Sequence, residues 1–276
     1  MRVKITAATD RPAFIPFNYN YVLHSTIYSL IEKSSGEYSQ YLHNRGFINK
    51  EINKRFKLFT FSKLFFTPVR IQKNGFDKVK EVAFFFSTPI EKSFEHLILG
   101  IFSDQTFHFN LSNQQINFSV THVEAMHEPQ FNTKCGFTCL SPVAVSTLRQ
   151  KDNGKLEQHY LDYMNPNERD HFIKNIKQNL INKFETLHNT PYNNHEQEFK
   201  FSFDINYITR RQGKISKLIH FKTINKNTRT KIKAFEAPFE IIADPGLIKI
   251  GYDAGFGNDN SAGLGCVGST HEVDTE

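Results

Sequence analysis

Along the first half of the chain the hydrophobic period switches between two and about 3.6 residues in one fixed order, and that order restricts the fold more than any other feature. Arg2 to Ala8 alternates as a strand. Asn20 to Lys33 puts Leu23, Ile27, Leu30 and Ile31 on one helical face. Phe56 to Val69 and Val82 to Ser87 are aromatic and β-branched and predict strands. Thr88 is expected to cap the next helix, with Pro89 at its first position and Glu91 completing a capping box. Phe94, Leu97, Ile98 and Ile101 carry that helix, and Phe107 to Val123 returns to strand, broken at Ser112-Asn113. Strand, helix, strand, strand, helix, strand is the order of a ferredoxin-like split βαβ domain.

The second half repeats the order less cleanly. Gly136 to Cys139 and Val143 to Ser146 predict short strands around Ser141-Pro142. Asn165-Pro166 starts a helix whose buried face is Phe172, Ile173, Ile176, Leu180, Phe184 and Leu187. Phe199 to Thr209 and Lys214 to Ile224 predict a hairpin around Gln212-Gly213. Leu247 to Ala254 predicts a short helix, Gly263 to Gly268 a last glycine-rich strand, and Glu272 to Glu276 an acidic, frayed tail. The polar stretch Pro129 to Lys134 marks the boundary, giving domains 1–130 and 131–276. The expectation is an α+β chain of two tandem ferredoxin-like (RRM-like) domains, each an antiparallel sheet with helices on one face.

Composition excludes several classes. With 39% hydrophobic and 22% charged residues in 276, the chain can bury a core and is not of disordered type. No apolar run approaches the roughly 18 residues of a membrane span. Met1-Arg2-Val3-Lys4 leads into a strand without an apolar leader core, and the cysteines are a sparse odd set, Cys135, Cys139 and Cys266. A cytoplasmic protein with reduced thiols and no membrane partner is expected. Cys135 and Cys139 lack a second cysteine pair, and the 12 His form no HExxH motif, so neither a metal site nor a cofactor is expected.

Charge is segregated. Lys50 to Lys80 holds nine Lys/Arg against two acids, and Lys200 to Lys233 ten against one. These segments are +7 and +9 in a chain of net +6, so everything else is net −10. That separation gives the molecule a polyanion-facing side. With 28 Phe, no Trp and the four-stranded sheets expected above, the polyanion this suggests is RNA, which such sheets bind by stacking unpaired bases. Arg210, Arg211, Lys214 and Lys217 flank the Gln212-Gly213 turn and are the leading phosphate contacts, followed by Lys222, Lys226, Arg229, Lys231 and Lys233. Phe201, Phe203 and Phe221 alternate along the same strands and are assigned to the core.

The strongest local motif runs from Gly255 to Gly265, where Gly255-Phe256-Gly257 and Gly263-Leu264-Gly265 flank five small or polar residues. Glycines permit left-handed backbone and, having no Cβ, let a ligand backbone come close. Such a loop can also present consecutive amides to an anion. Gly255, Gly257, Gly263 and Gly265 are therefore candidate RNA contacts, against the plainer role of a hairpin that closes a sheet. No Gly-Lys-Ser/Thr follows, which rules out a Walker loop.

With Lys249-Ile250-Gly251-Tyr252-Asp253-Ala254, this loop resembles the signature of the CRISPR-associated repeat-RNA endoribonucleases, the family numbered six of the repeat-associated RNA-binding superfamily. Leu140-Ser141-Pro142-Val143-Ala144-Val145 is similar to the start of the family's second domain. Pro16-Phe17-Asn18-Tyr19-Asn20-Tyr21, Ile27-Tyr28, Tyr41-Leu42-His43 and Lys57-Leu58-Phe59-Thr60-Phe61-Ser62 follow the order of its N-terminal motifs. The resemblance implies tandem ferredoxin-like domains and cleavage of CRISPR precursor RNA within its repeats. It also implies independence of metal, with CRISPR repeat RNA as partner, and admits effector-complex subunits and a homodimer. A non-catalytic RNA-binding subunit of an effector complex is the alternative on the same fold.

Metal-free cleavage uses the RNA 2′-hydroxyl as nucleophile and leaves a 2′,3′-cyclic phosphate and a 5′-hydroxyl. The enzyme must take one proton, give one and stabilise charge on the phosphoryl oxygens. By resemblance these tasks fall to His43 as acid or base, Tyr28 as orienting group and Lys57 as the cation. The long run from Asn44 to Phe56 leaves Lys50, Lys54 and Arg55 as alternative cations. His24, four residues before Tyr28 and on the same helical side, is a reserve acid–base candidate.

Overall fold

In the computed structural model of the chain, which describes residues 1–67, 69–111, 114–150, 154–222 and 229–270, two antiparallel sheets stand in sequence. The first half comprises β1 (Arg2–Pro16), α1 (Asn20–Ser34), α2 (Gly36–Asn44), β2 (Phe47–Asn49), β3 (Lys54–Phe56), β4 (Thr60–Phe61), β5 (Phe65–Phe66), β6 (Arg70–Gln72), β7 (Gly75–Ser87), α3 (Glu91–Asp104), β8 (Thr106–Leu111) and β9 (Gln114–Ala125). Its sheet runs β4-β7-β1-β9-β8, with β5 and β6 continuing along the β4 edge of β7. This is the ferredoxin-like order, with its second strand broken into β4, β5 and β6 and one extra edge strand, β8.

The alternation read in β1 buries Val3, Ile5 and Ala7 against Leu23, Ile27 and Ile31 of α1 and Leu97 and Ile101 of α3. Phe84, Phe86, Phe107, Phe109 and Phe118 fill the sheet face beneath those helices, each 2% exposed or less. Burying rings of this size contributes about 1.5–3 kcal/mol apiece. Phenylalanine abundance is therefore in large part a property of the core.

The second half comprises β10 (Lys134–Cys139), β11 (Ser146–Gln150), β12 (Leu156–Tyr160), α4 (Pro166–His188), β13 (Lys200–Phe203), α5 (Ile205–Arg210), β14 (Ser216–Lys222), β15 (Arg229–Phe235), β16 (Phe239–Ile242), α6 (Pro245–Ala254), a 3₁₀ turn (Asn260–Ala262) and β17 (Val267–Ser269). The order β13-β16-β10-β17 is again ferredoxin-like. Two hairpins, β11-β12 and β14-β15, are insertions outside that sheet. Asn165 caps α4 by accepting a hydrogen bond from the Asn167 amide at 3.1 Å, with Pro166 at the first position. Phe172, Ile176 and Leu180 are fully buried against β13 and β16.

Three expectations are corrected. Phe56 to Val69 is not one strand: Leu58 takes a left-handed φ of 52°, and after Phe61 the Lys63 amide leaves the sheet to bond Leu140 O at 2.9 Å in the second domain. Thr88 does not cap α3, which begins at Glu91 after Ile90; its hydroxyl donates to Leu58 O at 2.7 Å and accepts from the Ile90 amide at 3.1 Å. Gln212-Gly213 does not turn a hairpin. Asp204 caps α5 by accepting from the Tyr207 amide at 3.0 Å, and the two residues end that helix with left-handed φ of 52° and 75° while the Gly213 amide bonds Ile208 O. The hairpin is instead β14 with β15. The Ser112-Asn113 break, Lys226 and the acidic tail lie outside the described residues. Among the described residues no helix is long and apolar enough to cross a membrane.

Candidate active site

Helix α1 sets one wall. Residues four apart lie above one another on a helix, so His24 and Tyr28 share a face, and their rings stand 4.8 Å apart. Tyr28 then meets His43 edge-on at 5.7 Å. His43 sits in the last turn of α2, a helix missed from sequence, and is exposed. Its Nδ1 pairs with Asn44 Oδ1 at 3.0 Å. A short helix starting at a glycine carries weak periodicity; the readable signal was Ser35, whose hydroxyl accepts from the Tyr38 amide, with Tyr38 and Leu42 facing the core.

Lys57 arrives from a different direction. Gly46 ends α2 with φ of 64°, and a Cβ there would lie 2.6 Å from Phe56 O. That close approach lets the β2-β3 hairpin fold back along α2 and bring Lys57 to its end. Lys57 Nζ donates to His43 O at 2.6 Å and also to Leu42 O. A cation on the last carbonyls of a helix is electrostatically favoured. Burial, with help from the Arg55 charge, lowers the Lys57 pKa to about 8. Tyr28, His43 and Lys57 thus meet at one place. Of the alternative cations, Arg55 donates to Asn44 O at 3.1 Å, while Lys54 faces Asp259.

His24 is the better enclosed histidine. Tyr21 and Tyr28 flank it on its helix, and Phe221 of β14 approaches edge-on at 5.5 Å. Its Nδ1 is 2.6 Å from Ser261 O in the glycine loop. Burial lowers its pKa, and the neighbouring His43 and Lys57 lower it further, against the Ser261 hydrogen bond, which raises it. Burial raises the Tyr28 hydroxyl, so that residue stays neutral.

The glycines of the loop are buried. Gly255, Gly257, Gly263 and Gly265 all have left-handed φ, between 72° and 87°. Built Cβ atoms would meet Asn260 Nδ2 at 2.4 Å, Ala144 O at 2.2 Å, the Phe61 ring at 2.4 Å and Phe256 O at 2.0 Å, in that order. Close approach is therefore made by the chain itself. The loop's amides are used internally too: Phe256 N bonds Gly265 O, Gly265 N bonds Pro142 O and Asn258 N bonds Ala144 O.

Sequence reasoning passed over Lys183 of α4, which is 2% exposed. Its ammonium donates to Gly255 O at 2.6 Å, Gly257 O at 3.0 Å and Asn260 Oδ1 at 2.7 Å. The signal was present: Lys183 falls on the stripe of Ile176, Leu180 and Leu187, where a lysine has no place unless it is paired inside.

Arg210, Arg211, Lys214 and Lys217 are exposed around the end of α5 and the start of β14. Lys233 is paired with Asp162 at 2.5 Å, and Lys63 with Glu236. Phe201 and Phe203 are core residues, as expected, and Phe221 is half-buried against His24. Cys139 is buried, its thiol pushed up to about 12. Among the described residues no three His, Cys, Asp or Glu side chains converge on a point where a metal ion could be held.

The sequence matches two family models. Residues 14–124 match CRISPR-associated protein Cas6, N-terminal, and residues 124–268 match CRISPR associated protein Cas6, C-terminal. A protein named CRISPR-associated endoribonuclease Cas6 1, from Methanocaldococcus jannaschii, is 28% identical over 269 residues, covering 97% of this chain and 92% of the relative. CRISPR-associated endoribonuclease Cas6 of Pyrococcus furiosus is 28% identical over 273 residues, covering 94% and 84%. A solved structure described as CRISPR associated protein Cas6 superposes with a TM-score of 0.74 at 27% identity, covering 98% of this chain and 99% of the other.

Proposed function

The chain belongs to the Cas6 family of CRISPR-associated proteins, and on that premise we propose that it is an endoribonuclease that cleaves CRISPR precursor RNA within its repeats. The observation that carries this reading is the meeting of Tyr28 with His43 at 5.7 Å and of Lys57 with the His43 carbonyl at 2.6 Å. Three groups suited to proton transfer, orientation and charge stabilisation thereby stand together on three separate segments of the first domain.

The reaction assigned to them needs no added nucleophile. The RNA 2′-oxygen attacks the adjacent phosphorus in line while the bond to the 5′-oxygen breaks. His43, open to solvent, is assigned the proton donated to the leaving 5′-oxygen. Lys57 is partly desolvated, which strengthens its field on a phosphorane. Tyr28, kept neutral by burial, offers a hydroxyl that can orient the phosphate or the 2′-hydroxyl. The products are a 2′,3′-cyclic phosphate and a 5′-hydroxyl, without metal.

The exposed cations Arg210, Arg211, Lys214 and Lys217 are assigned to phosphate contacts. The role given to the glycine loop shifts from direct RNA approach to shaping the site, because its Cβ positions face protein. Incubating the protein with repeat RNA in EDTA tests the whole reading. Cleavage at one defined position, abolished by a 2′-deoxy nucleotide just upstream, is expected. Binding without cleavage would instead make the protein an RNA-binding subunit.

A further inference from the structure

Cleavage by an internal 2′-hydroxyl needs a base as well as an acid, and the roles assigned so far, acid for His43, orientation for Tyr28 and charge for Lys57, leave the base unassigned. A second imidazole also stands against Tyr28. His24 and His43 approach that ring from two helices, at 4.8 and 5.7 Å. We infer that His24 is the general base of this site, with Nε2 as its reactive nitrogen, and that Lys183 is a positioning residue that fixes the choice of nitrogen through the glycine loop. The inference rests on the endoribonuclease reading above.

A main-chain carbonyl only accepts hydrogen bonds, so the 2.6 Å contact between His24 Nδ1 and Ser261 O requires the proton on Nδ1. The neutral ring then carries its free electron pair on Nε2. His24 is also enclosed by Tyr21, Tyr28 and Phe221, which disfavours the imidazolium. The charged or titratable groups facing it are Tyr21 and Tyr28 on its own helix, His43 from α2 and Lys57 beyond β3; Ser261 and Phe221, from the loop and β14, bring no charge. His43 stands in water by contrast. Two imidazoles in different environments divide acid and base between them.

The carbonyl is held from the second domain. An ammonium has three protons to donate, and those of Lys183 go to Gly255 O, Gly257 O and Asn260 Oδ1. Asn260 in turn donates to Phe256 O at 3.2 Å and Leu264 O at 2.9 Å. The 3₁₀ turn from Asn260 to Ala262 that carries the Ser261 carbonyl is thus locked on both sides. Burial pushes the Lys183 pKa well down, yet three acceptors around its nitrogen call for three N–H donors, so an ammonium in the second domain holds the loop whose Ser261 carbonyl selects the basic nitrogen of His24.

In the cleavage step the 2′-oxygen forms its bond to phosphorus and its proton passes to His24 Nε2. The phosphorus–O5′ bond breaks, and its electron pair takes a proton from His43. Both histidines return to their starting states by exchange with water.

The test has two independent arms. His24→Asn keeps an N–H able to reach Ser261 O but has no basic nitrogen. Under single turnover with saturating enzyme it should lower the cleavage rate ~10²–10⁴-fold, leave RNA affinity within a few fold and remove the acid limb of the pH–rate profile. A variant that retains its rate and acid limb overturns the assignment while the endoribonuclease reading stands. A wild-type protein that binds repeat RNA without cutting it overturns both. The second arm needs no RNA: nitrogen NMR of ¹⁵N-histidine protein at neutral pH should show His24 protonated at Nδ1 and bare at Nε2. Lys183→Met should give a mixture of the two tautomers. If that variant does not fold, the wild-type spectrum decides, and a proton on Nε2 there sinks the proposal.

Discussion

Lys57 Nζ sits 2.6 Å from the main-chain oxygen of His43, so the cation and the histidine assigned to catalysis are tied through the end of one helix. Lys57 therefore has two duties, capping α2 and offering charge. Lys57→Ala removes both and should slow single-turnover cleavage ~10–100-fold, less than loss of His43. Lys57→Arg keeps a cation that does not deprotonate in the working range. Because burial brings the Lys57 pKa to about 8, wild-type activity should decline as pH rises through that value. In Lys57→Arg that alkaline decline should move upward. An unmoved decline would assign it to another group.

Proton transfer by His43 predicts a different pattern. His43→Ala should cost ~10²–10⁴-fold in the chemical step, with RNA affinity nearly intact because the ring is exposed and pairs with its neighbour Asn44. Tyr28→Phe should cost less. EDTA should leave every rate unchanged, and a 2′-deoxy nucleotide at the cut should abolish cleavage with binding preserved. Rapid-quench measurements at saturating enzyme separate the step from binding.

The glycine loop carries a prediction about folding. A side chain at Gly263 would need a φ of 82° and would press on Phe61, a wholly buried ring. Gly263→Val should lower stability by roughly 1–3 kcal/mol through overpacking, read as a fall in the denaturant midpoint. An unchanged midpoint together with lost RNA binding would return the loop to direct contact with RNA.

Much of this architecture could be read from periodicity because the core-facing residues keep their spacing. Leu23, Ile27, Leu30 and Ile31 bury as the α1 pattern requires, and Asn165-Pro166 opens α4. Local chemistry misled where two outcomes share one motif. Gln212-Gly213 suits a hairpin turn and a helix end equally, and the Asp204 cap decided between them. Tyr28, His43 and Lys57 are proposed from motif, but nothing local joins Lys183 to the glycine loop across more than 70 residues of chain. Long-range pairing of a buried charge leaves only a misplaced lysine in the sequence.

The exposed arginines address affinity. Arg210 and Arg211 stand at the end of α5 on the most basic stretch of the chain. Each phosphate contact removed should reduce the slope of log affinity against log salt by about 1. Arg210→Glu with Arg211→Glu should thus weaken binding to repeat RNA and flatten its salt dependence, with the cleavage rate of bound RNA little changed. Filter-binding titrations between low and moderate salt give both numbers. Affinity independent of salt in the wild type would remove the polyanion argument.

The enclosure of His24 predicts a pH dependence of stability that does not involve RNA at all. Its folded pKa lies below the ordinary value, chiefly through burial. The unfolded chain titrates this histidine near ~6.5. Between the unfolded and folded values the unfolded state binds more protons, so the contribution of His24 is complete above the unfolded value. It is lost as pH falls through the folded value and constant below it. His24→Phe retains a ring among Tyr21, Tyr28 and Phe221 but gives up the Ser261 hydrogen bond, a pH-independent loss of about 0.5–1.5 kcal/mol. Wild type should therefore exceed the variant at neutral pH, and the gap should shrink on acidification below pH ~6.5. Urea midpoints measured for both proteins from pH 8 down to pH 4 would show it. A gap that widened on acidification would mean that the Ser261 carbonyl stabilises an imidazolium, and His24 would then be a donor rather than a base.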